Sequence, residues 1–203
     1  MTSEYLSCQS CGDSLKSPLF CFSCNTIQNT SKDLDHFEVM GLPHSFEIDI
    51  DELENLYQRL SLEMHPDFFE GASVEKKMLS EKSSVMLNAA YNSLYLPASR
   101  AKYLLSLFSK GKNLKTDELP EGFLEEMFTF QESLDEKLNS CDQPALHKMN
   151  EDLQKRYDLI ESNYSSLFKK IKISPDNTEI LQQLQTQINI ERYLRRLLDR
   201  LNS

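Results

Sequence analysis

Four cysteines near the N-terminus have the residue type and spacing of a metal site. Cys8 and Cys11 form one C-x2-C pair, and Cys21 and Cys24 form a second, with nine residues between the pairs. Each pair can present two thiolates on a short turn, and two such turns complete the tetrahedral sulfur site that zinc prefers. The spacing predicts zinc, with a four-thiolate iron site as the alternative. Since a four-thiolate site has no open position for a substrate, we interpret it as structural.

Two other interpretations of these cysteines stay open, namely two disulfides or one redox-active pair. Disulfides suit a secreted chain, but Met1–Leu6 contains Glu4 and no arginine and so does not resemble a signal or transit peptide. A redox pair leaves the second C-x2-C unexplained. Few apolar residues surround the cysteines, so a bound metal would supply folding free energy that a core cannot. The fifth cysteine, Cys141, is isolated and is predicted to be an ordinary half-buried thiol.

The second chemically interesting group is His65-Pro66-Asp67, an imidazole and a carboxylate that flank a proline. Proline lacks an N–H and its ring clashes with the preceding turn, so a helix that starts at Asp49 must end near Met64. His65 and Asp67 are then held on an exposed loop, where they suit either acid–base chemistry or contact with another protein. A hydrolase would also need a third group and a pocket, and a polar loop tip offers neither.

The helices that position these groups follow from the spacing of apolar residues. The chain has 203 residues and five glycines, and it is rich in Leu, Glu, Lys, Gln and Ser, which favours an all-α protein. Asp49 is the predicted cap of the helix before the loop, and Ser73 is the predicted cap of a long helix after it. These two helices should form an antiparallel hairpin. The predicted apolar stripe of the second helix consists of Met78, Leu79, Lys82, Val85, Met86, Ala89, Ala90 and Leu94.

Three longer helical patterns occupy the C-terminal part of the chain, after a polar linker at 110–118. They predict a three-helix bundle over 119–203. A bundle helix needs one apolar stripe, yet Leu124 and Phe128 fall beside the main stripe of the first helix. They indicate an exposed docking surface, with a wide buried stripe as the alternative. The main stripe is predicted to consist of Phe123, Met127, Phe130, Leu134 and Leu138.

The composition excludes some partners. Charged residues make up 27% and hydrophobic residues 39%, as in a soluble globular chain. The formal net charge of -10 argues against nucleic acid as the main partner, because phosphate binding needs a basic surface. No apolar run approaches the ~20 residues that a membrane-spanning helix needs.

Together these motifs resemble the J-domain of DnaJ-type co-chaperones. A short helix, a helix that ends in His65-Pro66-Asp67, and a long helix with Asn88-Ala89-Ala90-Tyr91 are typical of that domain. The stretch His-Pro-Asp-Phe-Phe, the segment Ser99–Leu107 and the C-terminal bundle are more specifically similar to the HscB, or Jac-type, branch. Eukaryotic members of that branch often carry a cysteine-rich N-terminal module. The predicted organisation is a zinc module at 1–32, a J-domain helical hairpin at 33–109, a linker at 110–118 and a three-helix bundle at 119–203.

The resemblance implies an adaptor without enzyme activity that serves iron–sulfur cluster biogenesis. His65, Pro66 and Asp67 would dock on a 70-kilodalton heat-shock chaperone and trigger its ATP hydrolysis. The bundle would carry the iron–sulfur scaffold protein to that chaperone. The positions that match scaffold-contacting residues of the family are Leu124, Phe128, Glu132 and Ile190. At Ile190 the family has an aromatic residue, so this chain departs from the pattern there.

A second departure concerns charge, because J-domains usually attract the chaperone through a basic face on the helix before the loop. In this chain Arg59 is the one base among five acids at 49–64, so steering from that face should be weak. Asp67 is then the main candidate for a charge-assisted contact with an arginine of the chaperone. Bases elsewhere could supply the missing attraction, namely Lys76, Lys77, Lys82, Arg100 and Lys102.

Two alternative functions and two compartments remain open. The chain could be a general J-domain co-chaperone with a different client, or a metal or redox protein built on the four cysteines. Family resemblance implies the mitochondrial matrix, with the cytoplasm as the alternative.

Overall fold

The computed structural model describes residues 7–30 and 33–202. The chain forms two compact units, Met1–Arg100 and Ala101–Ser203. Helices dominate the described residues, which confirms the all-α prediction, and none of these helices combines the length and hydropathy needed to cross a membrane. In chain order the elements are β1 (Phe20–Cys21), β2 (Thr26–Ile27), α1 (His36–Val39), α2 (Ile50–Glu63), a 3₁₀ turn (Pro66–Phe69), α3 (Val74–Leu94), α4 (Pro97–Phe108), α5 (Phe123–Asn139), α6 (Gln143–Ile173) and α7 (Thr178–Leu201).

Helices α2 and α3 form the predicted hairpin, and both begin at the predicted caps. The Asp49 carboxylate accepts a hydrogen bond from the Glu52 N–H at 2.9 Å, and the Ser73 hydroxyl accepts one from the Lys76 N–H at 3.4 Å. Each cap satisfies an N–H that the first helical turn leaves without a partner. Helix α2 ends at Glu63 with Met64 as its C-cap, two residues before Pro66, which confirms the predicted end near Met64.

The predicted apolar stripe of α3 is wrong at three of its eight positions, Met78, Val85 and Ala89, which are exposed, whereas Leu79, Lys82 and Met86 are half-buried. Ala90 and Leu94 are buried as predicted. Helix α3 packs against both α1 and α2, and the small serine side chains on its inner face let these neighbours approach closely. Fit to the neighbours therefore outweighs the hydrophobicity of single residues here. The buried residues of α3 are Ser80, Ser83, Leu87, Ala90 and Leu94.

The cysteine-rich segment packs onto the helices of the first unit. The buried Ser17 hydroxyl donates to the Val39 carbonyl at the end of α1, at 2.8 Å. Lys82 Nζ on α3 donates to the Thr30 carbonyl at 3.0 Å, and the Arg59 guanidinium on α2 lies 4.3 Å from the centre of the Phe22 ring. These contacts join the segment to α1, α2 and α3, so the four cysteines and the helical hairpin belong to one packed structure.

Gly41 is required at the closest approach between this segment and α1. Its φ is +64°, and a Cβ at this position would lie 1.8 Å from the Lys16 carbonyl oxygen. We expect Gly41→Ala to destabilise the first unit by about 2 kcal/mol or more, because it adds a backbone clash to left-handed strain. Urea unfolding followed by circular dichroism measures the loss. Gly12→Ala is the matched control, since Gly12 has a φ of +81° but open space around its Cα. Equal losses for the two variants would contradict the clash.

The first helix of the C-terminal bundle follows its predicted stripe more closely. Helix α5 buries Phe123, Met127 and Leu134, whereas Phe130 is half-buried and Leu138, near the end of the helix, is exposed. Helices α6 and α7 pack along most of their length. Their buried apolar residues are Leu153, Ile160, Tyr164, Leu167, Phe168, Ile171, Leu181, Leu184, Leu194, Leu197 and Leu198.

The polar segment before α5, predicted as a linker, is hydrogen-bonded along α7. The Gln182 side chain accepts from the Lys115 N–H and donates to the Lys115 carbonyl, both at 2.9 Å. The buried Asn189 amide donates to the carbonyls of Thr116 at 2.9 Å and Glu118 at 3.0 Å. Bonds from side chains to backbone leave no periodic pattern, which is why the sequence does not indicate this attachment.

Candidate functional sites

The four N-terminal cysteines converge into one cluster. Their Sγ atoms all lie within 4.8 Å of one another, with 3.6 Å between Cys8 and Cys24 and 3.7 Å between Cys11 and Cys21. Zn–S bonds of about 2.3 Å place the sulfurs of a tetrahedral site about 3.8 Å apart, so the cluster could hold a metal ion of that kind. A disulfide needs about 2.05 Å, and all four residues are free thiols.

Two tight turns present the thiols. The residue after each C-x2-C pair, Gly12 at φ +81° and Asn25 at φ +51°, has a left-handed backbone that turns the chain. Cys8 Sγ accepts from the backbone N–H groups of Ser10 at 3.3 Å and Cys11 at 3.5 Å. Burial raises the pKa of the Cys8 thiol, but these N–H donors, with that of Cys11 first, together with hydrogen bonds to the side chains of Cys24 and Cys21, outweigh it and lower the pKa to about 6. They favour the thiolate, which is the form that binds a metal. Cys141, in contrast, is exposed instead of half-buried as predicted.

His65, Pro66 and Asp67 lie on the 3₁₀ turn that follows α2. His65 is the N-cap of the turn, and its Nδ1 accepts from the Asp67 N–H at 3.4 Å and lies 3.6 Å from Asp67 Oδ2. The two side chains are 53% and 79% exposed, and the neighbouring Phe68 ring is also exposed. Side chains held open to solvent suit contact with another protein better than acid–base catalysis, which needs an enclosed site.

Two serines of α3 fix the start of this turn. The Met64 side chain is fully buried, and its carbonyl accepts hydrogen bonds from Ser80 Oγ at 2.7 Å and Ser84 Oγ at 3.3 Å. These bonds tie the C-terminus of α2 to α3 at the residue before His65. The sequence does not indicate the role of either serine, because a serine within a helix carries no signal for the carbonyl that it will meet.

The bases that were expected to compensate for the acidic α2 face fall into two groups. Arg100 is 5% exposed, donates to the carbonyls of Leu94 and Tyr95, and lies over the Phe46 ring. The expectation that Arg100 supplies surface charge is therefore wrong, because its guanidinium is used to close the end of α3. Lys76, Lys77 and Lys102 are exposed, whereas Lys82 is half-buried and its Nζ donates to the Thr30 carbonyl.

The bundle carries an apolar groove between α5 and α7. Leu124 and Phe128 are 54% and 64% exposed, so they form a surface and not part of a wide buried stripe. The groove has a volume of about 350 Å³. Glu132 is exposed on α5 and Ile190 is half-buried on α7, and both lie outside the groove lining. The lining residues, which we call the bundle groove, are Leu124, Met127, Phe128, Gln131, Tyr193, Arg196 and Leu197.

Helix α7 contributes three residues to the groove lining, which the sequence did not indicate as site residues: Tyr193, Arg196 and Leu197. Tyr193 follows Ile190 by one helical turn, and its ring packs edge-to-face on Phe123 at 5.7 Å between ring centres. An aromatic residue one turn from the expected position was a usable signal, because residues three apart on a helix share a face.

The sequence of this chain is similar to the sequences of known HscB co-chaperone proteins. The chain is 32% identical over 194 residues to the iron-sulfur cluster co-chaperone protein HscB of Homo sapiens, covering 93% of this chain and 81% of that protein. It is 30% identical over 176 residues to the co-chaperone protein HscB of Proteus mirabilis, covering 82% and 99%. No protein-family model matches.

Two solved structures are similar over most of the chain. The crystal structure of human co-chaperone protein HscB superposes with a TM-score of 0.76 at 26% identity and covers 97% of both chains. The chaperone HscB from Vibrio cholerae gives a TM-score of 0.69 at 26% identity and covers 83% of this chain and 96% of that one. Sequence identity over nearly the full length and a shared fold lead to one conclusion: the chain belongs to the HscB family of co-chaperones.

Proposed function

We propose that this protein is a co-chaperone of iron–sulfur cluster assembly that brings a scaffold protein to a 70-kilodalton heat-shock chaperone. The His65-Pro66-Asp67 turn engages the chaperone and stimulates its ATPase, and the bundle groove holds the iron–sulfur scaffold protein. The observation that carries the proposal is that the first compact unit exposes the His65-Pro66-Asp67 turn and the second exposes the apolar bundle groove. The protein itself catalyses no reaction in this scheme, because the ATP is hydrolysed in the chaperone.

The turn is suited to a chaperone contact by rigidity and by charge. The hydrogen bonds of Ser80 and Ser84 to the Met64 carbonyl hold the residue before the turn in place, so little conformational entropy is lost when a partner binds. The Asp67 carboxylate is mostly in solvent and can form a charge-assisted pair with an arginine of the chaperone. The exposed Lys76 and Lys77, in the first turn of α3, add positive charge to the same unit.

The groove is suited to a scaffold contact because it exposes large apolar side chains that folding did not bury. Exposed apolar patches with a polar rim mark protein interaction sites. Leu124 and Phe128 supply the apolar surface, and Glu132 lies on the polar side of the same helix. Tyr193 supplies the aromatic group that the family has at the position of Ile190, and an aromatic side chain is a frequent anchor in such interfaces.

The cofactor is proposed to be a structural zinc ion held by Cys8, Cys11, Cys21 and Cys24, with iron as the alternative. A closed four-thiolate site stabilises the fold and has no position for chemistry. The four-part organisation into 1–32, 33–109, 110–118 and 119–203 is part of this proposal. The mitochondrial matrix as compartment, with the cytoplasm as alternative, is also part of this proposal. Residues Met1–Leu6, which do not resemble a signal or transit peptide in sequence, lie outside the described residues.

Combined substitution of Leu124→Ala and Phe128→Ala tests the scaffold-binding groove. We expect scaffold affinity to fall about 30-fold or more, because truncation of a buried anchor commonly costs about 2 kcal/mol. Stimulation of the chaperone ATPase by the full-length variant, measured without scaffold, should not change. Neither substituted residue belongs to the first unit, which carries the His65-Pro66-Asp67 turn. Titration calorimetry gives the affinity, and a single-turnover assay without scaffold gives the stimulation.

A matched control is Leu159→Ala, which removes a similarly exposed leucine from α6 outside the groove. This variant should bind the scaffold like the unsubstituted protein. If the double variant keeps its scaffold affinity, the groove is not the scaffold site. If the unsubstituted protein stimulates the chaperone but does not bind the scaffold, the chain is a J-domain co-chaperone with a different client.

A further inference from the structure

We propose that Arg196 determines which partner the bundle groove accepts, by pairing with a carboxylate that the partner places beside its apolar anchor. This inference rests on the proposed scaffold-binding function of the groove. Arg196 lines the groove together with Tyr193 and Leu197, and its side chain is exposed. It therefore faces the space that an apolar side chain of a partner would enter.

The other arginines near the end of α7 already have partners within the chain. Arg195 pairs with Glu191 at 2.5 Å and donates to the Tyr157 hydroxyl at 3.2 Å. Arg200 pairs with Asp135, and Arg192 lies 5.9 Å from the centre of the Tyr193 ring. Among the described residues, Arg196 is the arginine of this helix for which neither an ion pair nor a ring contact is found. Its side chain is exposed beside apolar lining residues, where its guanidinium can bind a carboxylate in bidentate geometry.

Arg196 has charged neighbours of both signs along α7. Arg192 lies four residues before it and repels it, Asp199 lies three residues after it, and the charge of Arg200 is paired with Asp135. This repulsion between two arginines occurs in a chain with a formal net charge of -10. A partner carboxylate would relieve the repulsion and attract the partner to this wall of the groove.

The groove lining contributed by α5 is uncharged, but acidic residues of α5 lie beside it. Glu125 and Glu132 are exposed on α5, on either side of Phe128 along the helix. A partner that fits both walls presents an apolar side chain between a basic group, directed at α5, and a carboxylate, directed at Arg196. Like charges would meet if the partner bound in the reverse direction, so the two walls select one orientation as well as one charge pattern.

The test compares Arg196→Glu with Lys155→Glu in the full-length protein, with the iron–sulfur scaffold protein as ligand in titration calorimetry. Lys155 is exposed on α6 outside the groove, so its reversal changes the net charge equally. We expect Arg196→Glu to weaken binding by about tenfold or more and Lys155→Glu to have little effect. Arg196→Lys should keep part of the affinity, because it retains the charge and loses the bidentate geometry. Added salt should weaken scaffold binding by the unsubstituted protein more than scaffold binding by Arg196→Glu.

Folding of Arg196→Glu can be verified by circular dichroism, and we expect it to be intact because the new glutamate lies between Arg192 and Arg200. A set of scaffold variants, each with one surface Asp or Glu changed to Arg, should contain one that restores binding to Arg196→Glu. Equal affinities of the Arg196→Glu and Lys155→Glu variants, with binding still lost in the Leu124/Phe128 double variant, would overturn this inference and leave the proposed function standing. Unchanged scaffold affinity of the Leu124/Phe128 double variant would overturn both this inference and the proposed function of the groove.

Discussion

Replacement of His65 by Gln is expected to abolish stimulation of the chaperone ATPase without unfolding the protein. The imidazole is 53% exposed, so its contribution to the packing of the first unit is small. Its hydrogen bond from the Asp67 N–H is 3.4 Å long, beyond the usual range for this type of bond. The imidazole therefore contributes little to the stability of the protein, which fits a residue whose role is to contact a partner.

Single-turnover ATP hydrolysis by the chaperone, with and without the variant, measures this effect directly. His147→Gln is the control, since His147 is an exposed histidine on α6 with one surface ion pair to Glu151. It should stimulate like the unsubstituted protein. Circular dichroism and scaffold binding should be unchanged for both variants, because the bundle groove lies in the second unit. Stimulation by His65→Gln at the unsubstituted level would refute the assignment of the turn.

The double substitution Cys8→Ser and Cys21→Ser is expected to release the metal and unfold the cysteine-rich segment. Its buried apolar side chains, mainly Leu19 and Phe20, are few, and segments of this kind obtain much of their folding free energy from the metal. Damage should extend to α1, because Ser17 bonds to the Val39 carbonyl and the Lys16 carbonyl fits against Gly41. The bundle should be unaffected, since it forms its own compact unit.

Two measurements on the full-length protein check this expectation. Metal analysis should give about one bound ion per chain in the unsubstituted protein and none in the variant, and the identity of the ion decides between zinc and iron. Hydrogen exchange should show loss of amide protection at 8–30 and 33–41 and retained protection at 123–201. Cys141→Ser is the control, because Cys141 is exposed and lies outside the cluster. Full protection of 8–30 in the metal-free variant would show that the segment folds without a metal.

Local sequence was sufficient for the features that depend on neighbouring residues. Pro66 stops α2 whatever surrounds it, and Asp49 and Ser73 cap helices through bonds to N–H groups three residues away. The two C-x2-C pairs indicate one cluster because the chemistry of a four-thiolate site needs both. Leu124 and Phe128 are exposed as expected, since one apolar stripe is enough to bury a helix in a three-helix bundle.

Tertiary structure alone decided the features that depend on distant residues. The buried face of α3 contains Ser80 and Ser83 instead of Met78 and Val85, because close approach of α1 and α2 requires small side chains and periodicity does not identify the neighbour. Arg100 is also buried because of residues that local sequence does not identify, since the carbonyls at the end of α3 accept hydrogen bonds from its guanidinium. The second wall of the bundle groove, with Tyr193 and Arg196, exists because α7 returns alongside α5 from about 70 residues further along the chain. Periodicity in the sequence predicts which residues share a face, but only the packed structure shows what each face meets.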